Sequence, residues 1–173
     1  AARTVVDDNG TSVEIPDHVN RVVVTNILPL ASAVTVFLND GKTVVGMHPA
    51  SYSAAKSGLL GKLYPDVLKA DTSFMQGASL NVEALMALRP DLVLVNAPDK
   101  RTLDAVRNAG IPAFGPRADA AIIEASKIFS KNLMAKYHIP TAKYQTFTEL
   151  APALAYIDSY LNSFGRNGSV SSL

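Results

Sequence analysis

Short, continuous runs of β-branched residues punctuate the first 114 positions, and between them the apolar residues spread out to helical spacing. The runs fall at residues 21–25 (RVVVT), 42–47 (KTVVGM), 92–96 (LVLVN) and 111–114 (IPAF). They are too short for helices and too uniformly apolar for strands with one wet face, so they predict strands covered on both sides. The intervening stretches predict helices. An apolar one is expected over residues 29–38. A short one is expected in NVEALMALRPD, with Asn81 as cap, Glu83 in the positive first turn and Pro90 near the end. A third is expected over 99–108, closed by Gly110 in a left-handed conformation. Residues 51–80, rich in Ser, Gly and Ala, predict a helix and loops. Upstream, RTVVDDNGTSVEIP predicts a β-hairpin turning at Asn9-Gly10.

Strands alternating with helices at this spacing predict the α/β class: a three-layer, Rossmann-like lobe with a parallel sheet and an N-terminal β-hairpin. Beyond residue 114 the texture changes. Residues 118–137 predict one long helix, with apolar positions at Ile122, Phe129 and Leu133 along one face, which would cover the sheet. AKYQTF predicts a strand, and Thr148 would cap a last helix reaching about residue 161. The Gly/Ser-rich end, without periodicity, reads as a cloning or frame-end remnant. The expected organisation is a lobe over 1–114, a helix–strand–helix segment over 115–162, and a tail over 163–173.

Composition narrows the function classes. The net charge is +1, from 16 basic and 15 acidic residues scattered along the chain. That balance gives no clustered basic face and predicts no nucleic-acid partner. The longest apolar runs are far shorter than the ~20 residues of a bilayer span, so no membrane insertion is expected. The absence of cysteine removes disulfide and thiolate chemistry. The opening AARTVV has no basic or long apolar leader and would fit a processed amino terminus.

Ligands of open parallel sheets bind beyond the carboxyl ends of the strands. That rule selects Asn26 and Ile27, His48 and Pro49, Asn96 and Ala97, and then Gly115 as candidate ligand-binding positions. Asn26 and Asn96 could equally cap helices or tie loops. Helix amino termini at this edge would offer unpaired N–H groups to an anion. His48 could ligate a metal or a propionate, but a lone histidine lacks the convergent ligands of a metal site. His18 reads as surface and His138 as a helix stop. No metal, cofactor or catalytic residue is singled out. GxGxxG, GxxxxGK[ST], GxSxG and HExxH are all missing, and GLLGKLYPD lacks the strand-to-helix context of a phosphate loop. On these grounds the chain is not expected to be an enzyme.

Residues 3–113 resemble the amino-terminal lobe of class III periplasmic substrate-binding proteins, the ABC-importer receptors for ferric siderophores, haem, cobalamin and some metal oxyanions. TVVDDNGTSVEIPDHVNRVVV, VVGM, LYPDV, SLNVEALMALRPDLVLVN and VRNAGIP carry the likeness. It implies an extracytoplasmic parent for this part and an iron-chelate, haem or corrinoid ligand. Residues 110–157 instead resemble phosphoribosylamine–glycine ligase, an ATP-grasp enzyme, through AGIPAFGP, AAIIEASKIFSKNLMAKYHIPTAKYQTFTE and ALAYI. Ala125 and His138 stand where that family usually has glycine. The lysine-bearing strand, ATP loop and metal-binding carboxylates would lie downstream of this piece. The two likenesses overlap at AGIP, where both families place a helix, a glycine stop and an edge strand. The expectation is therefore two fragments joined at an equivalent strand: a receptor lobe with weak or no ligand binding. The alternative is a chimeric fold with no evolved activity, and a truncated ligase is the remote third. A homodimer is compatible with either leading reading.

Overall fold

The computed structural model describes residues 2–118. A four-stranded sheet forms its centre, in the order β4-β3-β7-β8, from β3 (Val22–Val24), β4 (Val44–Met47), β7 (Leu92–Leu94) and β8 (Ala113–Phe114). All three pairings are parallel. The chain passes from β3 to β4 on one side, then crosses back to β7 on the other. The direction of winding therefore reverses between β3 and β7, whose register pairs Val22 with Leu92 and Val24 with Leu94.

Both faces of the sheet are buried. Val22 and Val24 enter one apolar cluster with Leu30, Val36, Met47 and Val67. Val23, between them, enters the opposite cluster with Phe74, Leu85, Val93, Leu103 and Val106. A period of two with apolar residues on both faces is what the unbroken run RVVVT requires. The first cluster is covered by α1 (Leu30–Leu38), α2 (Pro49–Ser57), α3 (Leu60–Leu63) and a 3₁₀ turn at Pro65–Lys69. The second is covered by α4 (Val82–Ala87) and α5 (Lys100–Asn108). Asn81 accepts from the Ala84 N–H at 3.0 Å and caps α4 as expected, and Gly110 takes the left-handed φ of +79° that closes α5.

Two details differ from the expectation. β1 (Arg3–Val6) and β2 (Ser12–Ile15) pair antiparallel, but not through a two-residue Asn-Gly turn. The loop is Asp8-Asn9-Gly10, with the Asp7 N–H bonded to the Thr11 carbonyl at 2.9 Å and positive φ at Gly10 alone. This is the three-residue hairpin with a left-handed third position. Asn9 keeps an ordinary φ and uses its side chain elsewhere. Within residues 51–80 a second hairpin, β5 (Met75–Gln76) and β6 (Ser79–Leu80), turns at Gly77. Two-residue strands carry no periodicity, so the sequence pattern misses them.

Gly46 in β4 is explained by packing. A Cβ there would lie 2.9 Å from the Phe74 ring and 3.0 Å from Leu88 Cδ1. The outer edge of β4 is partly occupied by Asp71, whose carbonyl accepts from the Met47 N–H at 3.0 Å and whose N–H reaches the Val45 carbonyl at 2.9 Å. Ala118 packs, partly buried, against the first cluster. The long helix, strand, last helix and tail expected downstream, with His138, lie outside the described residues.

Candidate functional site

The strand ends meet as a crest built around Asn26. Thr25, fully buried, has its Oγ1 at 3.0 Å from both the Leu94 carbonyl and Asn26 Oδ1, with its one proton available to either. Asn26 Oδ1 also accepts from the Asn96 N–H at 3.0 Å, and its Nδ2 donates to Asp99 Oδ2 at 2.5 Å. Asp99 in turn caps α5, taking the Thr102 N–H at 3.1 Å and the Thr102 hydroxyl at 2.7 Å. Asn26 therefore bridges β3 to the loop after β7, across the point where winding reverses. Its amide is spent on tying loops.

The other selected positions divide by burial. Ile27 is 4% exposed and joins the first core cluster; Ala97 is 3% exposed, and its carbonyl accepts from Asn9 Nδ2 at 2.6 Å. Both can meet a ligand only through backbone. Gly115 is buried, and a Cβ there would lie 3.2 Å from both Ala97 Cα and Asp7 Oδ2. Asn96 is half-buried, and its side-chain amide has no hydrogen-bond partner among the described residues. Its carbonyl receives the Asp99 N–H at 2.8 Å. Of the seven candidates it has the side chain most open to a ligand.

His48 is half-buried and doubly engaged. Nδ1 accepts from the Ala50 N–H at 3.0 Å, capping α2, and Nε2 lies 3.0 Å from the Gly77 carbonyl in the β5–β6 turn. Both bonds are satisfied together by the neutral ring with its proton on Nε2. In this arrangement neither nitrogen is left for a metal or a propionate. Pro49 occupies the first turn of α2, and Ser51 ties that helix to the β3–α1 loop by donating to the Leu28 carbonyl at 2.8 Å. Among the described residues no group of three or more His, Asp or Glu side chains gathers as a metal site.

Side-chain caps reduce the number of free N–H groups that the helix termini offer at this edge. His48 and Asp99 already cap α2 and α5, leaving α1, which begins at Pro29 without a side-chain cap. Pro29, Pro98 and Pro116 lie in the strand-end loops and Pro49 opens α2, and at each a ring that fixes φ and lacks an N–H makes the rim stiff and poor in donors. Leu28, 44% exposed, adds an apolar side chain to it.

One charged group holds the hairpin against this edge. The Asp7 side chain is fully buried and accepts from the N–H groups of Asn9 at 3.0 Å, Thr11 at 2.9 Å and Gly115 at 3.3 Å. It also pairs with the Arg107 guanidinium at 2.9 Å. Burial alone would push its carboxyl up, but the Thr11 N–H, Arg107 and the other donors outweigh that and hold it below the usual carboxylate range. Asp7 and Asp99 were not singled out in the sequence, and Asn9 only as a turn residue. Asp99 had a local signal, an Asp three residues before Thr102 at a helix start. Asp7 had none, because its cation lies 100 positions away.

The comparisons overlap along the chain. A family model described as phosphoribosylglycinamide synthetase, ATP-grasp (A) domain, matches residues 125–165, outside the described residues. The phosphoribosylamine–glycine ligase of Escherichia coli is 38% identical over 123 residues, covering 64% of this chain and 29% of the ligase. The chain thus spans less than a third of that relative's length. Among solved structures, a periplasmic solute-binding protein from Veillonella parvula superposes with a TM-score of 0.67 at 21% identity, covering 95% of this chain and 46% of that one. The molybdate periplasmic binding protein MolA of Haemophilus influenzae, with molybdate bound, gives 0.57 at 22% identity, covering 81% and 50%. The expectation that the chain is not an enzyme is overturned by the ligase match. That expectation rested on missing motifs, whereas residues 125–165 match a family model of an ATP-grasp domain and 64% of the chain is similar to a ligase. The chain shares the fold of periplasmic solute-binding proteins, and 64% of it carries a sequence likeness to a ligase, with the family model matching residues 125–165.

Proposed function

We propose that residues 1–114 act as the amino-terminal lobe of an extracytoplasmic substrate-binding protein of the ABC-importer type. In this reading a ligase-like segment follows over 115–162 and a tail over 163–173. The lobe takes a ferric siderophore, haem, corrinoid or metal-oxyanion ligand, weakly, along the crest of Asn26, Ile27, His48, Pro49, Asn96 and Ala97. The observation that carries this reading is the reversal of winding between β3 and β7, with Asn26 and Asn96 at the carboxyl ends of the two strands. Ligands of open α/β sheets lie at such switch points. The bound molybdate of one structural neighbour supports an anionic ligand. Affinity is low because one lobe supplies one wall, whereas buried ligands are usually enclosed on most of their surface. A second copy of the chain could supply the facing wall, and sedimentation with and without ligand would reveal such a dimer.

Asn96 offers a cleaner test than Asn26 or His48, which hold the crest together. Calorimetric titration of a ferric hydroxamate siderophore, haemin and molybdate should give saturable binding by at least one. Asn96→Ala should weaken it roughly two- to tenfold, the range of one hydrogen bond, with the circular dichroism unchanged. No saturable binding by any probe, or equal affinity in the variant, removes the assignment. A chimeric fold with no ligand selected for its lobe is the second reading. It is favoured by the match of residues 125–165 to a family different from the structural neighbours, and absence of binding would leave it standing.

A further inference from the structure

The loop of the first hairpin carries an Asn-Gly pair, Asn9-Gly10, and the fold holds both halves of it. Asn9 Nδ2 donates to the Ala97 carbonyl at 2.6 Å, 88 positions away. The Gly10 N–H donates to the Asp7 carbonyl at 3.0 Å. The loop is itself fastened to the sheet edge. Asp8 gives its N–H to the Gly115 carbonyl at 3.0 Å, and its Oδ2 accepts the Arg117 N–H. The Asp7 carboxylate, paired with Arg107, collects the N–H groups of Asn9, Thr11 and Gly115. Asn9 is nevertheless exposed to water.

Asparagine is chemically labile, and most so before glycine, which carries no Cβ to hinder attack by its own nitrogen. The Gly10 nitrogen, giving its proton to water, attacks Asn9 Cγ. A new C–N bond forms, the bond from Cγ to Nδ2 breaks, and ammonia leaves. Water then opens the cyclic imide at either carbonyl, leaving aspartate or isoaspartate at position 9. No oxidant or cofactor enters. In the docked loop the step is blocked twice, since Ala97 holds the leaving amide and Asp7 holds the nucleophile.

We propose that Asn9 is a deamidation site guarded by the docked hairpin, converted when the loop lifts from the sheet edge, and that conversion loosens the loop carrying Asn96 and Ala97. An ionised aspartate or isoaspartate has no donor for the Ala97 carbonyl and sets a negative charge against that oxygen. Isoaspartate also adds a methylene to the backbone of the turn. A loop that has reacted therefore cannot dock again as before. This site does not rest on the crest reading, and either can fail alone.

The test is peptide mapping of the full chain after incubation in mildly alkaline buffer, either folded or in urea above its unfolding midpoint. Asn167-Gly168, the other Asn-Gly pair in the sequence, falls in a separate tryptic peptide and is scored apart. Asn9 should convert roughly ten- to a hundredfold more slowly in the folded chain, the reach of two hydrogen bonds, with isoaspartate among the products. Arg107→Ala, checked as folded by circular dichroism, should convert at least about threefold faster than the wild type. The comparison of folded with unfolded wild type needs no variant and stands even if Arg107→Ala does not fold. In the converted protein the backbone-amide NMR signals of residues 96, 97 and 99 should shift. Equal rates in folded and unfolded chain, or a product free of isoaspartate, overturn the inference. So does a wild-type rate in folded Arg107→Ala, or unmoved signals at 96, 97 and 99.

Discussion

Replacing Asp7 by asparagine removes one charge from a site where four donors converge. The wild-type carboxylate takes three backbone N–H groups and Arg107, with its own side chain fully buried and that of Arg107 27% exposed. The asparagine amide would turn its NH₂ toward one pair of these donors, leaving them unsatisfied. Breaking a buried ion pair by removing one partner costs about 3–5 kcal/mol, but Arg107 can reach water, so about 2–3 kcal/mol is expected for Asp7→Asn. For a chain of this size that is a fall of roughly 5–10 °C in Tm. The pH dependence has a definite sign. The folded pKa is depressed, so Asp7 stabilises the fold above its unfolded value of about 3.9, and that contribution is lost as pH falls through the folded value. Urea denaturation at about pH 7 should show the variant clearly weaker, with the gap to wild type closing toward about pH 3. No destabilisation at neutral pH, or a gap that does not change on acidification, would refute the latch.

Gly46→Ala should destabilise by about 1–3 kcal/mol, because the added methyl meets the fully buried Phe74 ring; an unchanged urea midpoint would show that the core yields. Asn81→Ala should cost about 1 kcal/mol through loss of the α4 cap, read as the same midpoint shift, with Asn81→Asp close to wild type. Gly110→Ala has open space around it but keeps a φ of +79°, so thermal unfolding should report a loss of about 1–2 kcal/mol from backbone strain alone.

The sheet was legible because its strands are buried on both faces, which writes them as unbroken runs such as RVVVT and LVLVN. The caps at Asn81 and the left-handed stop at Gly110 were legible because each is decided within one helical turn. What escaped is non-local. The same residue types that bind ligands at strand ends also tie loops, and only the fold reveals that Asn26 is committed to Asp99, 73 residues on, while Asn96 is not. His48 reads as a free ligand until the β5–β6 turn, itself invisible to periodicity, brings the Gly77 carbonyl to its ring. Asp7 and Arg107 show no mutual pattern because chain distance hides their pairing.

That the crest beyond β3 and β7 receives the ligand is tested most directly by locating a paramagnetic one. A ferric hydroxamate siderophore added to isotopically labelled protein broadens amide signals within reach of the iron, and the gallium form serves as the diamagnetic control. The account predicts that signals of residues 26–28, 48, 50 and 95–97 disappear first, while those at the opposite end of the sheet, around Arg21, Asp91 and Gly110, persist. Broadening centred on the opposite end, or spread evenly over the lobe, would contradict it.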